Sequence, residues 1–254
     1  MSSKIMINAV DPAECRIAKV KDSKLEEFHI ESAAREITHS NIYKGIIVRI
    51  EPSLQAVFID YGVERHGFLQ KHEIHSDYFQ DSDSGNRSIT GIVKQGQELL
   101  VQVTKDPFMK KGGMLTTYIS LPGRFIVLMP GSDGLGVSRK IEDEEERKRL
   151  KEVISTIKIP EGFGIIVRTA GIGCTKAQIA GDLAYLLRLW KNIKGNVMKV
   201  KAPALLYKER NLVVRSIRDY FTPDVNEILI DDPAVHREAK DFIKIISPKH
   251  SMIV

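Results

Sequence analysis

The 254 residues are 43% hydrophobic and 28% charged with a formal net charge of +5, a composition typical of a folded protein of two or three small domains. The two cysteines, Cys15 and Cys174, stand far apart in the chain, which argues against a disulfide framework and against a paired-cysteine zinc site. No apolar run reaches the ~18 residues needed to span a bilayer and the first residues have no signal-peptide core, so we expect a cytoplasmic protein without a membrane span.

The first residues predict short strands. Residues 4–10 and 15–20 have strand-like patterns on either side of the turn-forming Asp11-Pro12, and Glu27 to Ile30 predict a third strand. This segment is too short to form a core by itself, so we expect it to pack against another part of the chain.

Residues 42–119 have the pattern of a small closed barrel. Strands are predicted at 42–50, 54–62, 66–69, 98–104 and 114–120, with glycines at the bends. Short strands at this spacing are what a five-stranded barrel requires. Aromatic and basic residues recur through the segment, as they do in barrels that bind single-stranded nucleic acid.

Phe58 and Phe68 are the main candidates for stacking on bases. The two-residue period of a strand sets Phe58 on the opposite face from Val57 and Ile59, and one of those faces is the barrel interior. Phe58 therefore either stacks on a base or fills the core, and Phe68, which follows Gly67, presents the same choice. Two further rings are weaker stacking candidates: Tyr43 and Tyr61.

Basic residues that can contact phosphates occur in two places. Lys105 and Lys111 border the flexible pair Gly112-Gly113, and Lys111 is the stronger candidate for a backbone phosphate. Residues 191–220 contain eight basic and two acidic side chains. Such a stretch favours a polyanionic partner, although each residue in it fits a solvated surface equally well.

Residues 121–210 predict a compact α/β unit. A strand at 124–129, a helix at 142–158, a strand ending near Val167 and a helix at 175–193 follow one another. Arg168 and Thr169 come directly after the second strand, where a guanidinium fork and a hydroxyl together suit one phosphate group. An arginine at a strand end is more often a surface residue, but beside a nucleic-acid-binding barrel this pair suggests recognition of an RNA end.

The C-terminal segment, residues 211–254, differs in pattern from the α/β unit before it. Residues 211–221 are ambiguous between strand and helix, with a spacing of apolar residues that favours a helix. A short strand is predicted at 227–231, and Asp232 is expected to cap a helix that begins at Pro233. Packed together, the first and last segments can form one sheet with helices, interrupted by two inserted domains.

These residues resemble the N-terminal half of the ribonuclease E/G family of bacterial endoribonucleases. The matching segments run in order through nearly the whole chain: IYKGIIVRIEPSLQAVFIDYG at 42–62, ERHGFL at 64–69, LTTYISL at 115–121, VLMP at 127–130, VRTAG at 167–171, RDY at 218–220 and EILID at 227–231.

The resemblance implies an α+β multidomain fold. It consists of a discontinuous ribonuclease H-like domain at 1–36 and 211–254, an inserted OB-fold RNA-binding barrel at 37–120, and an α/β 5′-sensor domain at 121–210. The resemblance also implies the site residues. The family's RNA contacts fall on Phe58, Phe68 and Lys111, and its contacts to a 5′-monophosphate end fall on Arg168, Thr169 and Val127.

In the family, catalysis depends on a downstream DNase I-like domain in which two aspartates hold magnesium, and a paired-cysteine motif beyond it binds the zinc that joins subunits. These 254 residues end before both, so we expect no catalytic residue, metal or cofactor in this chain; oligomerisation is possible in a full-length relative. Asp231 and Asp232 do not replace the missing pair, because adjacent strand residues face opposite ways.

Two functions fit the sequence. The chain is either the RNA-binding and 5′-monophosphate-sensing part of a single-strand-specific endoribonuclease of RNA processing and decay, or a free-standing single-stranded RNA-binding protein without nuclease activity. A phosphate-loop nucleotide site at 171–176 is rejected, because Thr175 precedes Lys176 and no glycine stands before the lysine.

Overall fold

The computed structural model describes residues 3–11, 13–32, 38–80, 88–109, 111–209, 212–221, 224–246 and 252–254. The strands are β1 Ser3–Asn8, β2 Glu14–Lys21, β3 Lys24–Ser32, β4 Ile42–Glu51, β5 Ala56–Asp60, β6 Gly67–Gln70, β7 Glu98–Lys105, β8 Met114–Thr116, β9 Leu121–Pro122, β10 Ile126–Pro130, β11 Leu135–Val137, β12 Phe163–Val167, β13 Ala204–Tyr207 and β14 Val225–Ile230. The helices are α1 Ile89–Ile92, α2 Glu144–Ser155, α3 Lys176–Val197, α4 Leu212–Tyr220 and α5 Pro233–Ile246.

The chain divides into two compact units. Met1–Glu36 and Arg210–Val254 form the first, and Ile37–Glu209 form the second. In the first unit the strand order is β14-β1-β2-β3, with β1 parallel to β14 and antiparallel to β2. The two ends of the chain therefore share one sheet, whose buried residues pack with those of α4 and α5.

Local sequence signals determine the helices of the first unit. The ambiguous segment is the helix α4, and Val213 and Ile217 on it and Phe221 directly after it are buried, as the helical spacing favours. The carboxylate of Asp232 accepts 2.8 Å hydrogen bonds from the backbone N–H groups of Ala234 and Val235. The prediction that Asp232 caps α5 is confirmed.

The predicted five-stranded barrel is confirmed in the second unit. Its strand order is β4-β5-β6-β8-β7, and it closes where Ile42–Ile46 pair with residues 98–102. Buried residues of all five strands fill the interior: Ile47, Val57, Ile59, Leu69, Leu99, Val101 and Leu115. The sequence did not predict β13, which leaves the α/β part of the unit and pairs with β4.

The rest of the second unit is a sheet with two helices packed against it. The strand order is β11-β12-β10-β9, and the core combines buried residues of β10 and β12 with Leu150 of α2 and Leu183 of α3. Asp143 caps α2 through the N–H groups of Glu145 and Glu146. A capping box of Thr175 and Gln178 begins α3, which extends four residues beyond its predicted end.

Candidate nucleic-acid interface

A continuous row of side chains crosses the outer face of the barrel, one from each of its five strands. Strand register sets Arg49 opposite Phe58, and Phe58 opposite Phe68. Phe68 in turn lies opposite Met114, and Met114 opposite Lys105. Adjacent strands lie ~4.8 Å apart, so this barrel row spans about 19 Å. It has a basic residue at each end and three stacking or apolar side chains between them.

The two phenylalanines form the centre of the barrel row. Their ring centroids are 5.7 Å apart with an interplanar angle of 62°. Both rings are partly exposed, whereas the neighbouring Val57, Ile59 and Leu69 are fully buried. The alternative interpretation, in which Phe58 fills the barrel core, is therefore wrong, because strand alternation turns Val57 and Ile59 inward and Phe58 outward.

Arg49 belongs to the barrel row, although the sequence did not single it out. Its guanidinium carbon lies 4.3 Å from the centre of the Phe58 ring, within the range of a cation–π contact. The register between β4 and β5 shifts between Ile47 and Arg49, and this irregularity brings Arg49 opposite Phe58. Counting along β4 from its regular pairing does not reveal that neighbour, so the sequence contains no local signal for it.

Both predicted lysines are exposed: Lys105 ends the barrel row, and Lys111 lies outside it. Lys111 lies in a turn closed by two backbone hydrogen bonds, from Lys111 N–H to the oxygen of Phe108 at 2.9 Å and from Phe108 N–H to the oxygen of Lys111 at 3.1 Å. The next residue packs against the backbone before β6, since a Cβ atom at Gly112 would lie 1.9 Å from the oxygen of His66. Glycine at this position therefore lets the Lys111 turn approach the strand that carries Phe68.

Tyr61 does not share the outer face with the phenylalanines. Its ring is 1% exposed and packs edge-on against Tyr43, itself 6% exposed, with 5.0 Å between ring centroids. Burial raises the pKa of Tyr61 to about 12. The predictions that Tyr61 and Tyr43 stack on RNA are therefore wrong, because strand alternation from Phe58 places Tyr61 on the inner face.

The candidate phosphate residues lie at the end of two paired strands in the α/β part. Val127 on β10 pairs with Ile166 on β12, and both are partly buried on the same face of the sheet. Arg168 follows two residues after Ile166, and its backbone N–H donates to the oxygen of Phe125 at 2.8 Å. The exposed Thr169 begins the short turn Thr169–Gly171. The structure thus places Val127, Arg168 and Thr169 at the same end of the paired central strands β10 and β12.

The guanidinium of Arg168 is oriented by the backbone before β10. Its Nη1 donates to the oxygen of Gly123 at 2.6 Å. A Cβ atom at residue 123 would lie 2.5 Å from Oδ2 of Asp182, so this close approach requires glycine. Gly123 therefore connects Arg168 to the helix that carries Asp182.

Asp182 on α3 is a positioning residue that the sequence analysis missed. Its carboxylate accepts backbone hydrogen bonds from Arg124 at 3.2 Å, Phe125 at 2.8 Å and Ile126 at 3.1 Å. Burial raises the pKa of Asp182, and the three N–H donors act in the opposite direction. The only feature of the sequence that marks Asp182 is an acidic side chain next to Leu183, an apolar position of the predicted helix.

A second carboxylate fixes the turn after Thr169. Glu146 on α2 accepts from the backbone N–H of Gly173 at 2.8 Å and from two nitrogens of Arg149 at 2.6 and 2.7 Å. Arg149 also donates to the oxygen of Cys174 at 3.1 Å. The hydrogen bond from Arg149 lowers the pKa of Glu146 to about 2, so the pair is ionised near neutral pH.

The basic stretch at 191–220 is not uniformly solvated. Its lysines on α3 and in the following segment are exposed. In the first unit, however, Arg218 is buried and pairs with Asp219 at 2.9 Å, and Arg215 pairs with Glu31 at 3.2 Å. These two arginines form ion pairs within the protein, so their positive charge does not require RNA as a partner.

The described residues contain neither a metal-ligand cluster nor a membrane-spanning helix. Within them, no three or more His, Cys, Asp or Glu side chains are grouped in a way that could hold a metal ion. Across the same part of the chain, every helix is too short or too polar to cross a membrane.

Two family models match this chain. The model of the Ribonuclease E/G family matches residues 120–254, and the model of the S1 RNA binding domain matches residues 36–105. The chain is 45% identical to Ribonuclease E of Haemophilus influenzae over 248 residues, which is 96% of this chain and 26% of that protein.

Two further relatives come from Escherichia coli strain K12. Identity is 44% to Ribonuclease E over 94% of this chain and 23% of that protein, and 37% to Ribonuclease G over 98% of this chain and 52% of that protein. The chain thus spans about a quarter to a half of the length of these relatives. Because a family model covers more than half of the chain, the chain belongs to the ribonuclease E/G family and contains an S1 RNA-binding domain.

Proposed function

We propose that this chain is the part of a ribonuclease E/G-type protein that binds single-stranded RNA and recognises a 5′-monophosphate. The barrel row carries the first half of this proposal. Rings can stack on any base, and the flanking Arg49 and Lys105 supply positive charge for the backbone, so the row suits RNA without a sequence preference. Lys111 extends the positive charge beside Phe68.

Recognition of the 5′ end is assigned to Arg168, Thr169 and Val127. A terminal monophosphate is compact, carries nearly two negative charges and offers several acceptor oxygens. The guanidinium of Arg168 and the hydroxyl of Thr169 are suitable donors at one end of the paired strands β10 and β12, and Val127 offers an apolar contact for the terminal nucleotide. The resemblance to the family supports the same assignment.

The family resemblance also suggests names for the parts. In this proposal the first unit is the ribonuclease H-like domain, residues 37–120 are the OB-fold barrel, and 121–210 are the 5′-sensor domain. The pairing of β1 with β14 supports a discontinuous domain, because both ends of the chain contribute to one sheet. A cytoplasmic location and participation in RNA processing and decay remain predictions.

The barrel assignment is tested by removing one ring at a time. Phe58→Ala and Phe68→Ala should each weaken binding of a 5′-hydroxyl oligouridylate by ~1–3 kcal/mol, the usual contribution of one stacked base. Fluorescence anisotropy gives the dissociation constants. Leu69→Ala is the matched control, since it shortens a buried neighbour and should cost ~2–5 kcal/mol of stability without weakening binding by the folded fraction.

The opposite pattern would contradict stacking. If either phenylalanine variant loses stability as Leu69→Ala does while its folded fraction binds RNA normally, the rings are structural.

We also propose that the chain does not cleave RNA by itself. Asp231 accepts hydrogen bonds from the N–H of Ala9 at 2.7 Å and from the side-chain amide of Asn8, and Asp232 caps α5. Both carboxylates therefore have structural roles, and the hydrogen bond from Ala9 keeps the pKa of Asp231 low.

The corresponding experiment incubates the purified chain with magnesium and a labelled 5′-monophosphorylated oligonucleotide. We expect intact RNA on a denaturing gel at all times. Magnesium-dependent products would show a catalytic site in this chain. The double variant Asp231→Asn, Asp232→Asn then identifies its location: products that disappear implicate this pair, and products that persist implicate other residues.

A further inference from the structure

A groove lies on the barrel surface next to the barrel row. It has a volume of about 470 Å³, and its walls include Leu54, Gln55, Gln70, Lys71, His72 and Tyr118. Tyr118 is 47% exposed, unlike the buried Tyr43 and Tyr61. The groove therefore contains an exposed aromatic ring, whereas the two tyrosines of the barrel interior are buried.

Backbone hydrogen bonds hold Tyr118 in place. On the residue before it, the N–H and the hydroxyl of Thr117 both donate to the oxygen of Glu73 at 2.9 Å. The same hydroxyl accepts from the N–H of His75 at 2.6 Å. The His75 ring also packs edge-on against Tyr118, with 5.3 Å between centroids. A ring held this way loses little conformational freedom when a ligand stacks on it.

The groove adjoins the strand face that carries the two phenylalanines. Gln70 follows Phe68 on the same face of β6 and lines the groove. On the neighbouring strand β8, Met114 lies opposite Phe68, and the groove-lining Tyr118 follows Met114 by four residues, beyond the end of β8 at Thr116. Four residues span at most ~13 Å even when fully extended, which is the length of about four stacked nucleotides at ~3.4 Å each.

The charges of the groove suit a polyanion. Lys71 contributes an ammonium group, and no acidic side chain is among the groove-lining residues in the described part of the chain; the nearby carboxylate of Glu73 lies 3.8 Å from the ring of His72. The amide side chains of Gln55 and Gln70 add hydrogen-bonding groups next to the ring. This combination of ring, amide and ammonium groups corresponds to the base and backbone of single-stranded RNA.

We propose that Tyr118 is a second base-stacking site, which binds a nucleotide about four positions from the one held by Phe58 and Phe68. This inference rests on the proposed RNA-binding function of the barrel row. It adds one consequence that the barrel row alone does not predict: the affinity of the chain for RNA rises when the RNA is long enough to reach Tyr118.

The test compares short and long RNA. Dissociation constants are measured by fluorescence anisotropy for 5′-hydroxyl oligouridylates of about 4 and about 12 nucleotides, one at the lower end of the range of ~4–16 nucleotides for one such barrel and one well inside it. Tyr118→Ala should weaken binding of the long RNA about fivefold or more, the factor that corresponds to ~1 kcal/mol for one stacked base. Binding of the short RNA should not change, and Tyr118→Phe should bind both as the parent does.

A further variant, Phe68→Ala, makes the outcomes distinguishable. Phe68→Ala should weaken binding of both RNAs, and unchanged binding by that variant would contradict the barrel row instead of the Tyr118 site. An unchanged affinity of Tyr118→Ala for the long RNA, or an equal loss for both lengths, would overturn the Tyr118 proposal. Thermal unfolding of each variant confirms that it is folded, and Tyr118→Phe separates loss of the ring from loss of the hydroxyl.

Discussion

Replacing Arg168 with alanine is expected to remove most of the preference of this chain for a 5′-monophosphate over a 5′-hydroxyl. Charged hydrogen bonds contribute roughly 1.5–3 kcal/mol, so we expect the parent preference to be on the order of 10- to 100-fold. A 5′-hydroxyl offers neither the charge nor the acceptor oxygens, whereas the contacts proposed for the barrel row are the same for both RNAs. Affinity for the 5′-hydroxyl RNA should therefore remain nearly unchanged.

The measurement is a pair of dissociation constants for oligonucleotides that differ only at the 5′ end. Arg168→Lys is the matched control, because it keeps the charge but loses the planar fork, and it should retain part of the preference. Thr169→Ala should reduce the preference less than Arg168→Ala does. Equal loss of affinity for both RNAs would show that Arg168 is a general phosphate contact or a structural residue. A parent chain without any preference would contradict the sensor assignment itself.

Asp182→Ala should cause the largest loss of stability among these variants. The change leaves the N–H groups of three buried residues, Arg124, Phe125 and Ile126, without their acceptor. Each unsatisfied donor costs ~1–3 kcal/mol, and relaxation of the segment recovers part of that sum, so we expect a loss of about 3–5 kcal/mol. Because Gly123 lies in the same segment and accepts from Arg168, the preference for a 5′-monophosphate should fall as well.

Amide hydrogen exchange is the appropriate measurement, because a chain of two units need not unfold in one step. Protection of the amides of residues 124–126 should be lost in Asp182→Ala and partly kept in Asp182→Asn, which retains one acceptor oxygen. Arg188→Ala changes an exposed residue of the same helix and should alter stability by no more than ~0.5 kcal/mol. Unchanged protection in Asp182→Ala would contradict the role assigned to this carboxylate.

Some site residues are predictable because they depend on local periodicity. Alternation along β5 limits Phe58 to one of two faces, and the same rule places Tyr61 with Ile59 on the other face. A regular strand therefore does not allow Phe58 and Tyr61 both to stack on RNA, as the sequence-based prediction required. The closed barrel removes the ambiguity, since its interior is filled by Val57, Ile59 and Leu69.

The sequence by itself determined the elements that depend on neighbours along the chain: the barrel strands, the Asp232 cap, and the turn that presents Arg168 and Thr169. These follow from side-chain period and capping, which act within a few residues. Only the tertiary structure decided the barrel row, because a register shift in β4 brings Arg49 opposite Phe58. It also decided the contact of Asp182 with a segment 56 to 58 residues away. Strand register and long-range hydrogen bonds depend on how whole elements pack together, so no local pattern in the sequence specifies them.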